Sequence, residues 1–211
     1  VTHIVRIIGP RVLANIVLGR YRRPVREERV FLFLDIKDST RLSEQLGDIG
    51  VQELIARFFF DITEPILEWG GEVHRYIGDE VVVTWPLGKG VENASCLRCC
   101  FAIQERIRAR AASYRKSHGA VPEFRIGLHG GAVVAAQCGD VKQEIVYFGD
   151  TVNTAARIQQ HCKQVGRELL ISDELYEGLP KSDDWTAEFI ASVVLRGRQS
   201  EIGLLAVSAV R

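Results

Sequence analysis

The sequence contains no methionine and no apolar run long enough for a membrane-spanning helix, which needs about 18 to 20 residues. Since the chain begins at Val1 without a methionine, we expect it to be part of a longer protein. It also lacks an excess of charge of either sign, because 27 Lys and Arg residues balance 27 Asp and Glu residues. A balanced chain has no overall basic field to attract nucleic acid, so we expect no nucleic-acid partner.

Cysteine is scarce, and the five cysteines do not form the two Cys-x-x-Cys blocks of a zinc site. Cys96, Cys99 and Cys100 recur at helical spacing within an apolar pattern, which favours small core residues over metal ligands. The number of cysteines is odd, and unpaired thiols are typical of a reducing compartment. We therefore expect a cytoplasmic protein.

Residues 1–28 are predicted to be an N-terminal extension with two short amphipathic helices. Apolar residues cluster on both sides of Gly9 and Pro10, which would break a continuous helix. A basic run then extends from Arg20 to Arg26. This pattern fits a solvated linker, and it equally fits a segment under the cytoplasmic face of a membrane. An upstream sensor or membrane domain of the full-length protein would connect here.

Residues 29–211 are predicted to form one domain. It opens with an apolar run from Val30 to Asp35, which indicates a buried central strand. A helical stretch from Ser39 to about Trp69 follows, and then two β-rich runs joined by Gly78–Asp79, which is a hairpin signal. The order of elements predicts an α+β fold built on a split βαβ core. The later elements are predicted as a helix from Val91 to about Tyr114, a helix opened by a capping Asp150, and strands near Phe189–Leu195 and Ile202–Val207.

Two aspartates stand where strands end. Asp35 closes the first buried strand, and Asp79 lies at the tip of a hairpin that can lie alongside it. Carboxylates brought together in this way suit Mg²⁺, which takes oxygen ligands and shares its other positions with phosphate and water. The helix after Asp35 presents its N-terminus to the same point, and such a terminus binds phosphate through backbone N–H groups. Ser39 and Thr40 at that terminus fit a phosphate contact or a helix cap.

Four motifs carry a more specific signal: FLFLDIKDSTRLSEQLG, YIGDEVVVTW, FRIGLHGG and FGDTVNTAARI, in this order. Together they resemble the catalytic domain of class III adenylyl and guanylyl cyclases, over about residues 29–207. The resemblance implies a ferredoxin-like core with a mainly antiparallel central sheet flanked by helices. It also implies a head-to-tail homodimer with two active sites at the interface. One chain would supply the metal ligands of a site, and its partner would supply the base and transition-state contacts.

Position by position, the resemblance implies that Asp35, Asp79 and the carbonyl of Ile36 bind two Mg²⁺ or Mn²⁺ ions per active site. In NTAAR, it assigns Asn153 to orienting the ribose and Arg157 to stabilising charge on the phosphates. These two residues lie four apart and share one face of a helix. A guanidinium is permanently charged and planar, which suits a pentacoordinate phosphorus.

Four other positions contact the substrate in the family. Arg125 in FRIGLHGG and Arg198 in LRGR match basic positions that reach the triphosphate. Arg75 replaces the Lys of ATP-specific members, and Val146 replaces an Asp or Thr that reads the base. Arg75 can donate to adenine N1 but cannot accept from guanine N1–H, so ATP is favoured over GTP. Val146 leaves the acceptor for the 6-amino group of adenine missing.

The resemblance therefore predicts an adenylate cyclase that converts ATP to 3′,5′-cyclic AMP and pyrophosphate. A guanylate cyclase and a catalytically weak regulatory module that binds nucleotide or dimerises are the alternatives. Loss of an aspartate or of the Asn–Arg pair would mark a regulatory module, and all four residues are present. His74 and His129 are not expected to act as catalytic bases, because the family has no catalytic His at either position. His74 is also expected to face away from Arg75 in its strand.

Overall fold

The structure, a computed structural model, describes residues 21–141, 143–194 and 201–210. The helices predicted within residues 1–20 and the candidate phosphate contact Arg198 lie outside these ranges. Within the part of the chain that is described, no helix is long and apolar enough to cross a membrane.

The secondary structure alternates in the predicted manner. In chain order the elements are β1 (Val25–Ile36), α1 (Ser39–Glu68), β2 (Glu72–Ile77), β3 (Glu80–Pro86), α2 (Leu87–Val91), a 3-10 turn (Glu92–Ala94), α3 (Ser95–Ala109), α4 (Ala111–His118), β4 (Phe124–Cys138), β5 (Glu144–Phe148), α5 (Asp150–Val165), β6 (Leu169–Ser172), α6 (Asp173–Glu177), β7 (Trp185–Val193) and β8 (Ile202–Ala209). The bounds of α1, β2 and β3 agree closely with the prediction.

One sheet contains the strands of the described chain, in the order β2-β3-β1-β4-β6-β8-β7, and β5 pairs with the last part of β4. β4 and β6 are parallel, whereas the other pairs are antiparallel. The first four strands, with helices after β1 and β3, form a βαββαβ unit with β1 at its centre. The predicted α+β fold, with a ferredoxin-like core and a mainly antiparallel sheet, is confirmed.

Alternation along β1 gives the sheet two different faces. Leu32 and its alternating neighbours face the main core, where they are fully buried with residues of α1 and α3. Phe31 and Phe33 point to the opposite face, where they pack with Ala155 of α5. Asp35 continues this second series, so it lies on the face that α5 covers. The strand period therefore decides on which face the first candidate metal ligand lies.

Two strands begin earlier than predicted. β1 begins at Val25 rather than Val30, because its first residues continue the antiparallel pairing with β4. The sequence assigns these residues to the N-terminal extension, and they are strand rather than helix. β7 begins at Trp185 rather than Phe189, since it pairs with β8 along its length. In both places the first strand residues are paired but partly exposed, and many of their side chains are polar. An apolar pattern in the sequence therefore does not reveal that they belong to a strand.

The helix predicted from Val91 to about Tyr114 is divided into several pieces. Asn93 and Ala94 adopt left-handed backbone angles, with φ of 53° each, and these end α2 before α3 begins. Left-handed angles cannot continue a right-handed helix. The buried positions of α3 nevertheless follow the predicted apolar pattern, because they face the core.

Candidate active site

The two acidic residues predicted to meet occupy neighbouring ends of β1 and β3. Asp35 lies opposite Glu80 in the antiparallel register, and Asp79 precedes Glu80 in the turn from β2 to β3. Gly78 adopts a left-handed conformation with φ of 62°, which a short turn of this kind requires. The carboxyl groups of Asp35 and Asp79 lie close enough for Asp79 to raise the pKa of Asp35. Strand register and turn geometry thus bring the two carboxylates close together.

Burial and mutual repulsion change the acidity of this cluster. Burial first, and then Asp79, raises the pKa of Asp35 to about 6. Burial, followed by Asp35 and Asp79, raises the pKa of Glu80 to about 7. Arg125, directly across from Asp35 on β4, and Gln159 of α5 oppose the shift at Asp35. The cluster carries more negative charge than its neighbours neutralise, a condition that a bound cation relieves.

These residues fit a site that binds a divalent metal ion together with a substrate. The carboxylates of Asp35 and Asp79 and the backbone carbonyl of Ile36 are oxygen donors of the kind that Mg²⁺ prefers. No group of three or more His, Cys, Asp or Glu side chains within the described ranges is arranged to hold a metal ion. Phosphate and water oxygens would therefore complete the coordination, as is usual for Mg²⁺.

A helix N-terminus follows the acidic pair. α1 begins at Ser39, and the cap position before it is Asp38, which has a left-handed φ of 53° and makes no side-chain capping hydrogen bond. The interpretation of Ser39 or Thr40 as the cap is therefore wrong, because both residues lie inside the helix. The N–H groups of a first helical turn have no partner within the helix. The phosphate contact predicted for Ser39 and Thr40 stays a prediction.

Helix α5 carries the candidate catalytic residues on its outer side. Its inner side is buried, whereas Asn153 is exposed and Arg157 is partly buried. The Nη1 atom of Arg157 lies 4.0 Å from Oδ1 of Asp150 on the same helix. Arg125, rather than Arg157, is the arginine whose charge acts on Asp35. In the single chain, Arg157 is thus paired within its own helix.

The start of α5 differs by one residue from the prediction. Its cap position is Gly149, with φ of 143°, and Asp150 is the first helical residue rather than the cap. That backbone angle favours glycine, which explains the shift. The carboxylate of Asp150 accepts a hydrogen bond from Oγ1 of Thr154 at 3.3 Å and lies at the positive end of the helix dipole.

Two glycines of FRIGLHGG allow α5 to lie close to β4. A Cβ atom on Gly127 would lie 2.3 Å from the backbone nitrogen of Gln159 and 2.8 Å from the carbonyl oxygen of Ala155. A Cβ atom on Gly131 would lie 2.9 Å from Oγ1 of Thr151. In the sequence these glycines indicate only a punctuated strand. In the structure they set the distance between β4 and the NTAAR helix.

The two candidate base-binding residues lie on β2 and β5. The Nη2 atom of Arg75 donates to Oε2 of Glu144 at 2.5 Å, and Val146 lies on the same side of β5 as Glu144. His74 is the extra residue of a β-bulge, and its ring lies 5.0 Å from that of Tyr147 on β5. The expectation that His74 faces away from Arg75 is wrong, because the bulge places both side chains against β5.

Several polar and sulfur-containing side chains are packed as core residues. His129 is buried, and its Nδ1 atom lies 2.8 Å from Oγ of Ser172. Cys96, Cys99 and Cys100 are fully buried on α3, as their helical spacing predicts. Burial raises the pKa of the Cys96 thiol to about 12, so this group stays protonated and unreactive.

Three residues join the predicted site in the structure. Glu80 and Gln159 adjoin Asp35, and Glu144 adjoins Arg75. The signals in the sequence are weak. Glu80 directly follows the candidate metal ligand Asp79, and Glu144 lies two residues before the candidate base contact Val146. Gln159 gives no signal, because its approach to Asp35 depends on how closely α5 packs against the sheet.

The βαββαβ core, the paired aspartates at the ends of β1 and β3, and the NTAAR helix packed on the same face define a nucleotidyl cyclase catalytic domain. The sequence profile of the adenylate and guanylate cyclase catalytic domain matches residues 24–205. The chain belongs to this family, the class III cyclases.

Two relatives come from one bacterium. The chain is 42% identical over 203 residues to adenylate cyclase 2 of Rhizobium meliloti, which covers 96% of this chain and 56% of that protein. It is 31% identical over 153 residues to adenylate cyclase 1 of the same organism, which covers 70% of this chain and 23% of that protein. The chain thus spans little more than half the length of the first relative and about a quarter of the second.

Solved structures of both kinds of cyclase share the fold. A bacterial light-regulated adenylyl cyclase superposes with a TM-score of 0.84 at 24% identity, covering 98% of this chain and 60% of that one. The guanylyl cyclase Cya2 superposes with a TM-score of 0.75 at 19% identity, covering 89% of this chain and 94% of that one. The fold therefore does not select between adenine and guanine.

Proposed function

We propose that this domain is an adenylate cyclase, which converts ATP to 3′,5′-cyclic AMP and pyrophosphate in the cytoplasm. The observation that carries the proposal is that Asp35 and Asp79 lie close together at the ends of two paired strands, on the face of the sheet that the NTAAR helix covers. The identity to an adenylate cyclase over most of the chain supports ATP as the substrate. The donor Arg75 at the candidate base position also supports it.

The reaction makes one bond and breaks one bond at the α-phosphorus. The ribose 3′-hydroxyl gives its proton to solvent water, and its oxygen attacks this phosphorus. The bond between the α-phosphorus and the bridging oxygen breaks, so that pyrophosphate leaves. Two Mg²⁺ or Mn²⁺ ions, held by Asp35, Asp79 and the carbonyl of Ile36, would activate the attacking oxygen and neutralise charge on the phosphates. Asn153 orients the ribose so that its 3′-oxygen stands in line.

Cationic side chains and backbone N–H groups around the acidic pair would bind the phosphates. Arg125 lies beside Asp35 in the register of the sheet, close enough to act on its carboxylate. The first turn of α1 adds N–H donors at Ser39 and Thr40. Arg198 is proposed as a further triphosphate contact from the family resemblance. These groups hold the charge of the triphosphate while the α-phosphorus reacts.

We place each complete site between two chains in a head-to-tail homodimer. Asp35 and Asp79 come from one chain, and Asn153 and Arg157 come from its partner. The pairing of Arg157 with Asp150 in the single chain supports this arrangement, because that arginine is not engaged with its own acidic pair. In the dimer, the guanidinium would instead meet the phosphates held by the other chain.

Exposed apolar side chains on the site-bearing hairpins also support a dimer. Tyr76 and Ile77 on β2 are 46% and 51% exposed, and Phe148 on β5 is 50% exposed. Large apolar groups clustered near polar site residues are typical of protein interfaces. The two hairpins that carry the base-binding residues are therefore suited to contact a second chain.

Direct product analysis tests the proposed reaction. The purified protein is incubated with ATP or GTP and with Mg²⁺ or Mn²⁺, and the products are separated by chromatography. We expect cyclic AMP and pyrophosphate from ATP in equal amounts, and much less cyclic GMP from GTP. If neither nucleotide gives a cyclic product, the proposed activity is contradicted and the regulatory-module alternative is favoured. A preference for GTP would identify a guanylate cyclase.

Mixing inactive variants tests the shared site. Asp35→Ala and Arg157→Ala chains are each expected to be inactive. After subunit exchange, about half of the dimers would be mixed and each would hold one whole site, so about a quarter of wild-type activity should return. Subunit exchange is followed independently by labelling. A mixture that exchanges subunits and stays inactive would contradict the shared site.

A further inference from the structure

The contact between Arg75 and Glu144 joins two strands that are not neighbours in the sheet. Arg75 lies on β2, Glu144 lies on β5, and their closest atoms are 2.5 Å apart. The two side chains are 42% and 37% exposed, so the pair is accessible to a ligand. Val146 extends from the same side of β5. A carboxylate therefore lies beside the two positions that the family resemblance assigns to the base.

Packing around Tyr147 on β5 supports the Arg75–Glu144 pair. The ring of Tyr147, the residue next to Val146, lies 5.0 Å from the ring of His74 and 5.4 Å from that of Phe31. The guanidinium of Arg29 lies 4.9 Å from the centre of the same ring. These contacts hold β5 against β1 and β2. Glu144 consequently has a defined position relative to Arg75.

The chemistry of the two side chains is complementary to adenine. Adenine presents an acceptor at N1 and a donor at its 6-amino group. Arg75 only donates, and an ionised Glu144 only accepts. In the same base orientation, guanine would place its N1–H donor against Arg75 and its O6 acceptor against Glu144. Both contacts would then be unfavourable.

We propose that Glu144 determines the base specificity of this site: its carboxylate accepts a hydrogen bond from the 6-amino group of adenine and holds Arg75 toward adenine N1. This inference rests on the proposed adenylate cyclase function. A carboxylate can accept several hydrogen bonds at once, so Glu144 can serve both partners. It supplies the acceptor that Val146 lacks.

A pair of substrates isolates the contact with the 6-amino group. Purine riboside 5′-triphosphate is ATP without that group, and it retains N1. We expect Glu144→Ala to lower kcat/KM for ATP by about tenfold to a hundredfold and to change kcat/KM for the purine riboside substrate much less. Arg75→Ala should lower kcat/KM for both, because both present N1. Glu144→Gln keeps the shape and one acceptor, so it should lose less of the preference for ATP.

Binding provides a second readout. In calorimetry, 3′-deoxy-ATP and 3′-deoxy-GTP bind without reacting, and Glu144→Ala should narrow the difference between their affinities. Glu177→Ala, which removes an exposed carboxylate at the end of α6, is the matched control and should leave both preferences unchanged.

Two results would overturn the inference. An equal loss with ATP and purine riboside triphosphate would mean that Glu144 acts only through Arg75. An unchanged preference in both Glu144 variants would mean that it does not read the base. Absence of cyclic AMP production by the wild-type protein would instead contradict the proposed function, and the calorimetric comparison would still test base recognition by Glu144.

Discussion

The acidic end and the base end of the candidate site are held together in different ways. Asp35 lies on β1, and Asp79 lies in the turn that leads directly into β3. Because β1 and β3 pair through backbone hydrogen bonds, the main chain fixes the separation of the two residues. Arg75 and Glu144 lie on strands that do not pair with each other, and they meet through their side chains. Main-chain register tolerates changes of side chain, whereas a contact between side chains does not.

This difference suggests a division of labour. Under the proposed function, the acidic end would perform the chemistry common to the family, and it is built from the most regular part of the sheet. The base end would select the substrate, and it is built where two hairpins meet. A substitution at Arg75 or Glu144 can therefore change the preferred base without disturbing the strands that position the acidic pair.

The largest effect is expected at the acidic end. Asp35→Asn or Asp79→Asn should lower kcat on the order of a thousandfold or more, because each removes a ligand charge from the proposed metal site. Circular dichroism should show an unchanged fold, since strand pairing does not depend on either carboxylate. Asp183→Asn, in an exposed loop before β7, is the control and should retain activity. Near wild-type turnover in either site variant would contradict the two-metal proposal.

The same contrast explains what the sequence could predict. An apolar strand ending in Asp35, followed by a hairpin signal around Asp79, is sufficient to predict that these residues lie close together. The reason is that the second strand of the hairpin, β3, pairs directly with β1. The contact of Arg75 with Glu144 required knowing that a bulge turns β2 toward β5. The close packing that brings Gln159 to Asp35 is likewise set by tertiary structure. Side-chain contacts between distant hairpins produce no periodic pattern in the sequence, so they cannot be predicted from it.

Packing of α5 against the sheet should be the next most sensitive feature. Gly127→Ala places a methyl group 2.3 Å from the backbone nitrogen of Gln159, and a backbone atom cannot rotate away. We expect a loss of about 1 to 3 kcal/mol in the free energy of unfolding, measured by urea denaturation. Turnover should also fall, because the NTAAR helix is displaced.

Gly88→Ala is the matched control, because a Cβ atom there would meet nothing within 4 Å. It should change the free energy of unfolding by less than about 0.5 kcal/mol. If Gly127→Ala were as stable as Gly88→Ala, the close approach of α5 to β4 would not be the reason for a glycine at this position.

Because of His74 at the base end, the free energy of unfolding should depend on pH. Burial first, and then Arg75 and Arg29, lowers the pKa of His74 to about 4, while Glu144 opposes the shift. As pH falls from its ordinary pKa of 6.5 toward 4, the unfolded chain gains a proton at His74 that the folded protein does not. Stability is therefore lost on acidification. At about pH 5 the effect should be on the order of 1 to 2 kcal/mol.

His74→Gln removes this titration and should reduce the loss of stability between about pH 7.5 and about pH 5. Denaturant unfolding of wild-type and variant protein at both pH values gives the comparison. His161→Gln, on α5, controls for removal of an imidazole elsewhere in the chain. Equal acid sensitivity of wild type and His74→Gln would show that the environment around Tyr147 does not exclude a charged imidazole.

The smallest effect is expected for Val146→Thr, which adds a hydroxyl acceptor to β5 at nearly constant volume. If Glu144 already accepts from the 6-amino group, the hydroxyl has little to add, and the ratio of kcat/KM for ATP and GTP should change by less than about threefold. In a Glu144→Ala background the same hydroxyl replaces a missing acceptor. There it should raise the ratio by about two- to tenfold, the range for a neutral hydrogen bond. The four proteins form a double-mutant cycle, and the expected result is a smaller gain when Glu144 is present. Equal gains in the two backgrounds would show that positions 144 and 146 do not serve the same amino group.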